Sequence, residues 1–95
     1  MKQTKLERQI WVRITVAVAA YAYEFEGASI ISDGAFDALC KEVEPDMDTG
    51  KPVLDRFFRE EFQPHTGQWI YNHPELDKVR AGYLRRVATS PRPTS

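Results

Sequence analysis

Residues 4–25 read TKLERQIWVRITVAVAAYAYEF, and the spacing of their apolar side chains decides the fold class. Leu6, Ile10, Ile14, Ala17 or Val18, Tyr21 and Phe25 recur at three- and four-residue steps, the period of a helix with one buried face. The stretch predicts a long first helix with that stripe turned inward. Lys2, Lys5 and Arg8 ahead of the apolar run 14–22, with Ala20-Tyr21-Ala22 imitating a signal-peptidase site, also resemble a secretory leader. Arg13 shortens the run and leaves Trp11 and Val12 on the far side of a charge, so a core helix is the better reading. The run is also too short to span a membrane.

Downstream, residues 27–31 break the helical pattern, and Ser32 stands where it can cap a second helix with Asp33 at the positive end of the helix dipole. Phe36, Leu39, Cys40 and Val43 form the apolar stripe of that helix. Residues 45–50 are polar and turn-rich. Pro52 suits the first turn of a third helix running to about Phe62, with Leu54, Phe57, Phe58 and Phe62 apolar. Residues 63–71 form an ordered loop punctuated by Pro64 and Gly67, because Trp69, Ile70 and Tyr71 need burial. Pro74 opens a last helix to about Ala88, with Leu76, Val79, Tyr83, Leu84 and Val87 inward. Strands would need an alternating pattern that is not found, so the expectation is an all-α array of about four helices. One domain over 1–88 is expected, followed by a disordered tail, TSPRPTS, over 89–95.

With 95 residues, 42% of them hydrophobic, the chain can close one modest core. Cys40 is its only cysteine, which excludes an internal disulfide and fits a reducing cytoplasm. The net charge of −1 hides a division: both ends are basic, while eleven carboxylates face four bases between Glu24 and Glu61. Termini packed over the middle would make this internal complementarity. Otherwise Glu42, Glu44, Asp46 and Asp48 offer an acidic surface to a basic partner.

The stretch Tyr21-Ala22-Tyr23-Glu24, followed after a loop by Ile30-Ile31-Ser32-Asp33-Gly34-Ala35-Phe36-Asp37-Ala38-Leu39, resembles the N-terminal helical module, domain Ia, of bacterial NAD-dependent DNA ligases. The likeness covers roughly residues 19–44. It implies a helix pair that holds the nicotinamide mononucleotide (NMN) half of NAD, with Tyr23 and Phe36 as the two aromatic faces. Asp33 and Asp37 would be the nearby carboxylates, with Glu24 beside them. A nicotinamide cation between aromatic rings gains about 1–2 kcal/mol when desolvated, and carboxylates favour its charge. Phe36 stands where the family has tyrosine, and Glu24 where it usually has tyrosine or histidine, so a hydroxyl handle is lost and a charge gained. None of the five lysines lies in the Lys-x-Asp-Gly motif that takes up the adenylate, so no ligation by this chain alone is expected. Read without the resemblance, Phe36 is a core residue, Asp33 favours a helix start and Asp37 is a surface charge.

A second stretch, residues 54–70 (LDRFFREEFQPHTGQWI), ending at His73-Pro74, is similar to short phage-encoded proteins related to the ligase. This resemblance implies a viral accessory role. His65, His73 and Cys40 match no familiar zinc spacing, so no metal is expected. A buried Cys40 is expected to be an inert thiol rather than a nucleophile, and Glu60 and Glu61 point to different helix faces. His65 and Thr66 are expected to order their loop while Trp69 anchors it. Arg80, Arg85 and Arg86, on the basic last helix, are candidates for nucleic-acid phosphates, though a solvated helix face is the better reading of them.

The function expected first is that of a non-catalytic, phage-type protein acting stoichiometrically on a host protein in DNA metabolism or antiviral defence, anti-CRISPR-like inhibition included. A nicotinamide-nucleotide (NMN or NAD) binding module is the alternative, and a nucleic-acid accessory factor the third. A cytoplasmic monomer or homodimer, without a membrane partner, completes the expectation.

Overall fold

Thr4 begins the first helix with a reciprocal pair of bonds: its hydroxyl accepts from Glu7 N at 3.1 Å, and Glu7 Oε1 accepts from Thr4 N at 2.8 Å. That capping box satisfies backbone donors that a helix start leaves orphaned. In the computed structural model, which describes residues 3–64 and 66–89, helix α1 spans Lys5–Glu26. It stops where Gly27 takes a left-handed conformation (φ +63°) and Ala28 N donates back to Ala22 O at 2.9 Å, a geometry that favours glycine.

Helix α2 spans Asp33–Glu42, capped by the Ser32 hydroxyl accepting from Ala35 N at 3.1 Å. Helix α3 spans Pro52–Glu60 with proline in its first turn, and helix α4 spans Leu76–Thr89. Between them lies a 3-10 turn, Gln68–Asn72. The chain is all-α, with no strand among the described residues. Residues 90–95 of the expected tail, and His65, lie outside the described residues. None of the described helices is long and apolar enough to cross a membrane.

α1 is the hub, packed against α2, α4 and the 3-10 turn. Its middle is consequently buried on several sides, with Val12, Val16, Ala20 and Ala22 almost wholly closed to solvent. The stripe expected from its periodicity is only partly the buried one. Tyr21, Ala17 and Val18 are inside, but Leu6 is 44%, Ile14 51% and Phe25 43% exposed. The buried face instead includes Gln9 and Arg13, whose polarity disguises it as a surface. Leu84, expected inward on α4, is also exposed.

Below α1, Phe57 and Phe58 are buried with Trp69 and Ile70. Phe62 meets Trp69 nearly edge-on, with ring centroids 5.0 Å apart, an arrangement aromatic quadrupoles favour. Trp69 anchors its loop as expected: it is buried, and its Nε1 donates to Thr66 O at 2.6 Å. Thr66 Oγ1 in turn accepts from Gln68 N at 3.1 Å.

The basic start of the chain does pack over the acidic middle. Arg8 forms a two-pronged pair with Glu42, at 3.0 Å from Nε and 2.9 Å from Nη2. Deeper in, Arg13 Nη1 donates to Asp55 Oδ1 at 2.7 Å, its Nη2 donates to Glu44 O at 2.8 Å and Met47 O at 3.2 Å, and its Nε donates to Gln9 Oε1 at 3.1 Å. Gln9 completes the network by accepting from Glu44 N at 2.9 Å and donating to Glu42 O at 3.0 Å. One arginine thereby ties α1 to α3 and to residues 44–47.

Candidate functional site

The last turn of α1, residues 29–31, the first turn of α2 and Gly67 enclose a cleft of about 130 Å³. Ala19 and Ala20 line it from α1, and both are buried. Small side chains there leave the space that larger ones would fill. Tyr23 stands at the exposed edge of the cleft, 64% accessible, while Phe36 is half-buried across α2. No ring contact joins Tyr23 to Phe36 among the described residues, so the two aromatics border an open space rather than closing on one another. Asp33, the first residue of α2, lines the same cleft.

Three of the five residues expected to contact a nicotinamide ring thus come together, and two do not line the space. Asp37 lies outside, close enough to Cys40 to act on its thiol electrostatically. Helical geometry explains this: from Asp33, a step of three residues and a step of four land on opposite sides of the same face, so the cleft that takes Phe36 passes Asp37 by. Glu24 is a neighbour rather than a wall, its Cγ 3.8 Å from where a Cβ on Gly67 would sit.

Gly67, Ile30 and Ile31 are lining residues that the motif did not identify. A Cβ on Gly67 would lie 3.4 Å from Ala20 Cβ, so the glycine brings its loop against α1 and bounds the cleft with backbone. The signal for it in the sequence is a glycine just ahead of the buried Trp69-Ile70 pair.

An apolar cavity of roughly 150 Å³ can hold a benzene molecule, whereas drug-sized ligands occupy roughly 300–1,000 Å³. The cleft therefore matches one six-membered ring, with the remainder of any nucleotide lying outside it. The aromatic edges favour a flat, electron-poor ring, and the Asp33 carboxylate favours a positive one.

The four acidic candidates are spread over different tasks. Glu42 is paired with Arg8, which holds its carboxyl below the usual range. Asp48 closes a turn by accepting from Gly50 N at 2.8 Å, where Gly50 has φ +80°. Glu44 and Asp46 are exposed on the segment that Arg13 and Gln9 hold by its backbone.

The basic candidates on α4 also divide. Arg80 acts on the Tyr21 hydroxyl, beside the bond from that hydroxyl to Glu26 Oε2 at 2.9 Å. Arg85 and Arg86 line a groove on another side of the helix.

Two further titratable groups, Cys40 and His73, are shifted by burial. Burial pushes the Cys40 thiol up to about 11, which fits an inert thiol. Burial among Phe57 and Phe58 pushes His73 down to about 4, and the neutral ring accepts from Glu75 N at 3.0 Å through Nδ1, ahead of α4. Among the described residues, no three His, Cys, Asp or Glu side chains gather as a metal site would require.

No protein-family model, curated protein or solved structure matches the chain. The likeness to ligase domain Ia thus rests on the motif residues alone.

Proposed function

We propose that this chain is a non-catalytic binding protein whose cleft takes the nicotinamide ring of NMN or NAD. The observation that carries the reading is the meeting of Tyr23, from the end of α1, with Asp33 and Phe36, from the start of α2, around a space of ring size. These are positions that the ligase resemblance assigns to the nicotinamide; Phe36 also packs against the core, while Tyr23 is left exposed at the edge of the cleft. The cleft has room for the ring and not for the dinucleotide, so weak binding is expected. Calorimetry with NMN and NAD tests it. Saturable heat that Tyr23→Ala and Asp33→Asn each reduce several-fold supports the assignment; heat indifferent to both substitutions refutes it.

A second reading, action on a host protein, draws on the bonds from Arg13 to Glu44 O and Met47 O. They present Glu44 and Asp46 on a pre-ordered segment, which lowers the entropic cost of engaging a basic partner. Charge reversal at Glu44 and Asp46 would abolish capture of such a partner and spare NMN binding. A phage-type role, inhibition of host defence included, is compatible with either ligand. The nucleic-acid reading is weaker, since Arg80 is set apart from Arg85 and Arg86.

A further inference from the structure

Phe25 and Tyr71 are left 43% and 52% exposed at the carboxyl end of α1, where they extend a ladder of rings that starts inside the protein. Buried Tyr21 stacks on Phe25 with ring centroids 4.8 Å apart and planes inclined by 13°, and Phe25 meets Tyr71 at the same spacing. Tyr71, from the 3-10 turn, is tied to α1 by its hydroxyl, which donates to Glu24 O at 3.3 Å. Among the described residues it meets no ring besides Phe25, so the ladder ends on an aromatic surface open to solvent.

The charge around this ladder is negative. The last turn of α1 holds Glu24 and Glu26 and no base, at the end of the helix where the backbone dipole is itself negative. Glu26 accepts from the Tyr21 hydroxyl at 2.9 Å. The Glu24 carboxylate lies close to the Tyr71 hydroxyl, which partial desolvation and then that carboxylate push above its ordinary range. Among the described residues neither glutamate is held in an ion pair, and Arg80 of α4 acts on the Tyr21 hydroxyl, on the Glu26 side of the ladder. Carboxylates at the carboxyl end of a helix disfavour the folded chain until a cation reaches them.

Aromatic faces and carboxylates together select a cation. These rings stack on one another instead of facing across a gap, so they form a step and not a cage. A flat guanidinium lies well on such a step, whereas a round ammonium is better held by a cage. We propose that Tyr71 and Phe25, with Glu24 beside them, dock an arginine of a basic peptide segment on a partner protein, the guanidinium lying on the exposed Tyr71 face and pairing with the Glu24 carboxylate. Tyrosine and arginine are also residues on which protein interfaces concentrate their binding energy. The surface lies towards the other end of α1 from the segment that Gln9 holds, and it does not depend on the nicotinamide reading, since Tyr23 plays no part in it.

A blocked pentapeptide, Gly-Arg-Gly-Arg-Gly, titrated into labelled protein and followed through the aromatic ring resonances tests the assignment. Saturable shifts centred on Phe25 and Tyr71 are expected, roughly threefold weaker in affinity for the lysine counterpart and absent for the glutamate counterpart. Affinity should fall as salt rises. Tyr71→Leu, at an exposed position, should weaken the arginine peptide about fivefold while the circular dichroism of the helices is unchanged. Glu24→Gln should do the same, and serves in its place if the first variant disturbs the fold. Tyr23→Ala should bind the peptide normally, which separates this surface from the nicotinamide cleft. The proposal is overturned if millimolar arginine peptide leaves both rings unmoved, if the lysine peptide or tetramethylammonium binds as well, or if folded Tyr71→Leu and Glu24→Gln proteins bind normally.

Discussion

Arg13 Nη1 and Asp55 Oδ1 lie 2.7 Å apart, in side chains that are 5% and 9% exposed, and this buried pair joins the first helix to the third. Both charges are fully engaged, since Arg13 also bonds Gln9 and two carbonyls while Asp55 accepts from the backbone N of Thr49 at 2.9 Å and from its hydroxyl. The Arg13 guanidinium further lies 5.0 Å from the centre of the Phe58 ring. Removing one partner strands the other without water. Arg13→Met should therefore destabilise the fold by about 3–5 kcal/mol, while Arg13→Met with Asp55→Leu should recover only part of that loss, because the Glu44 and Met47 carbonyls and Thr49 N also lose their partners. Urea unfolding of the single and double variants measures the difference.

Acid should weaken the protein in two stages. Burial pulls His73 from 6.5 down to about 4, so between those values the unfolded chain binds the proton more readily and stability falls as pH drops. Allowing for partial screening, the loss is on the order of 2 kcal/mol. Burial alone would raise the Asp55 carboxyl, but hydrogen bonds from Thr49 and Arg13 outweigh it and hold the group at about 2 against its ordinary 3.8. The stability tied to Asp55 is thus complete above about pH 4 and is lost from there towards pH 2. Thermal melts across pH 2–8 should show both windows, and His73→Gln should flatten the upper one.

Much of the architecture is legible because its signals are local. The Thr4 and Glu7 box, the Ser32 cap and Pro52 each act within a few residues, so helix starts follow from adjacent side chains. The buried face of α1 is not local. Gln9 and Arg13 look like surface until Glu44 and Asp55, more than thirty residues away, supply their partners. Periodicity therefore favoured the neighbouring ladder through Ile10 and Ile14, part of which lies on a groove. The cleft was legible to the same extent: Tyr23, Asp33 and Phe36 belong to one helix pair, while Gly67 arrives from a distant loop that no motif marks.

Gly67 offers a way to close the cleft without touching its aromatic edges. Its φ of −99° is open to any residue, and a Cβ there meets Ala20 Cβ at 3.4 Å, an ordinary contact. Gly67→Val should crowd Ala20 and Glu24 at the wall of the cleft and reduce nicotinamide binding at least tenfold. No positive-φ strain is introduced, but the added methyl groups press on α1, so the fold should lose about 1–3 kcal/mol. Thermal unfolding and calorimetry on the same variant separate the two effects.

The most direct measurement is an NMR titration of the labelled protein with NMN, reading backbone and aromatic resonances together. Saturable shifts should cluster at Tyr23, Ile30, Asp33, Phe36 and Gly67, with residues of the groove beside Arg85 and Arg86 unmoved. Ligand in large excess that leaves those five signals in place, or shifts that Tyr23→Ala does not diminish, would contradict a nicotinamide site between α1 and α2.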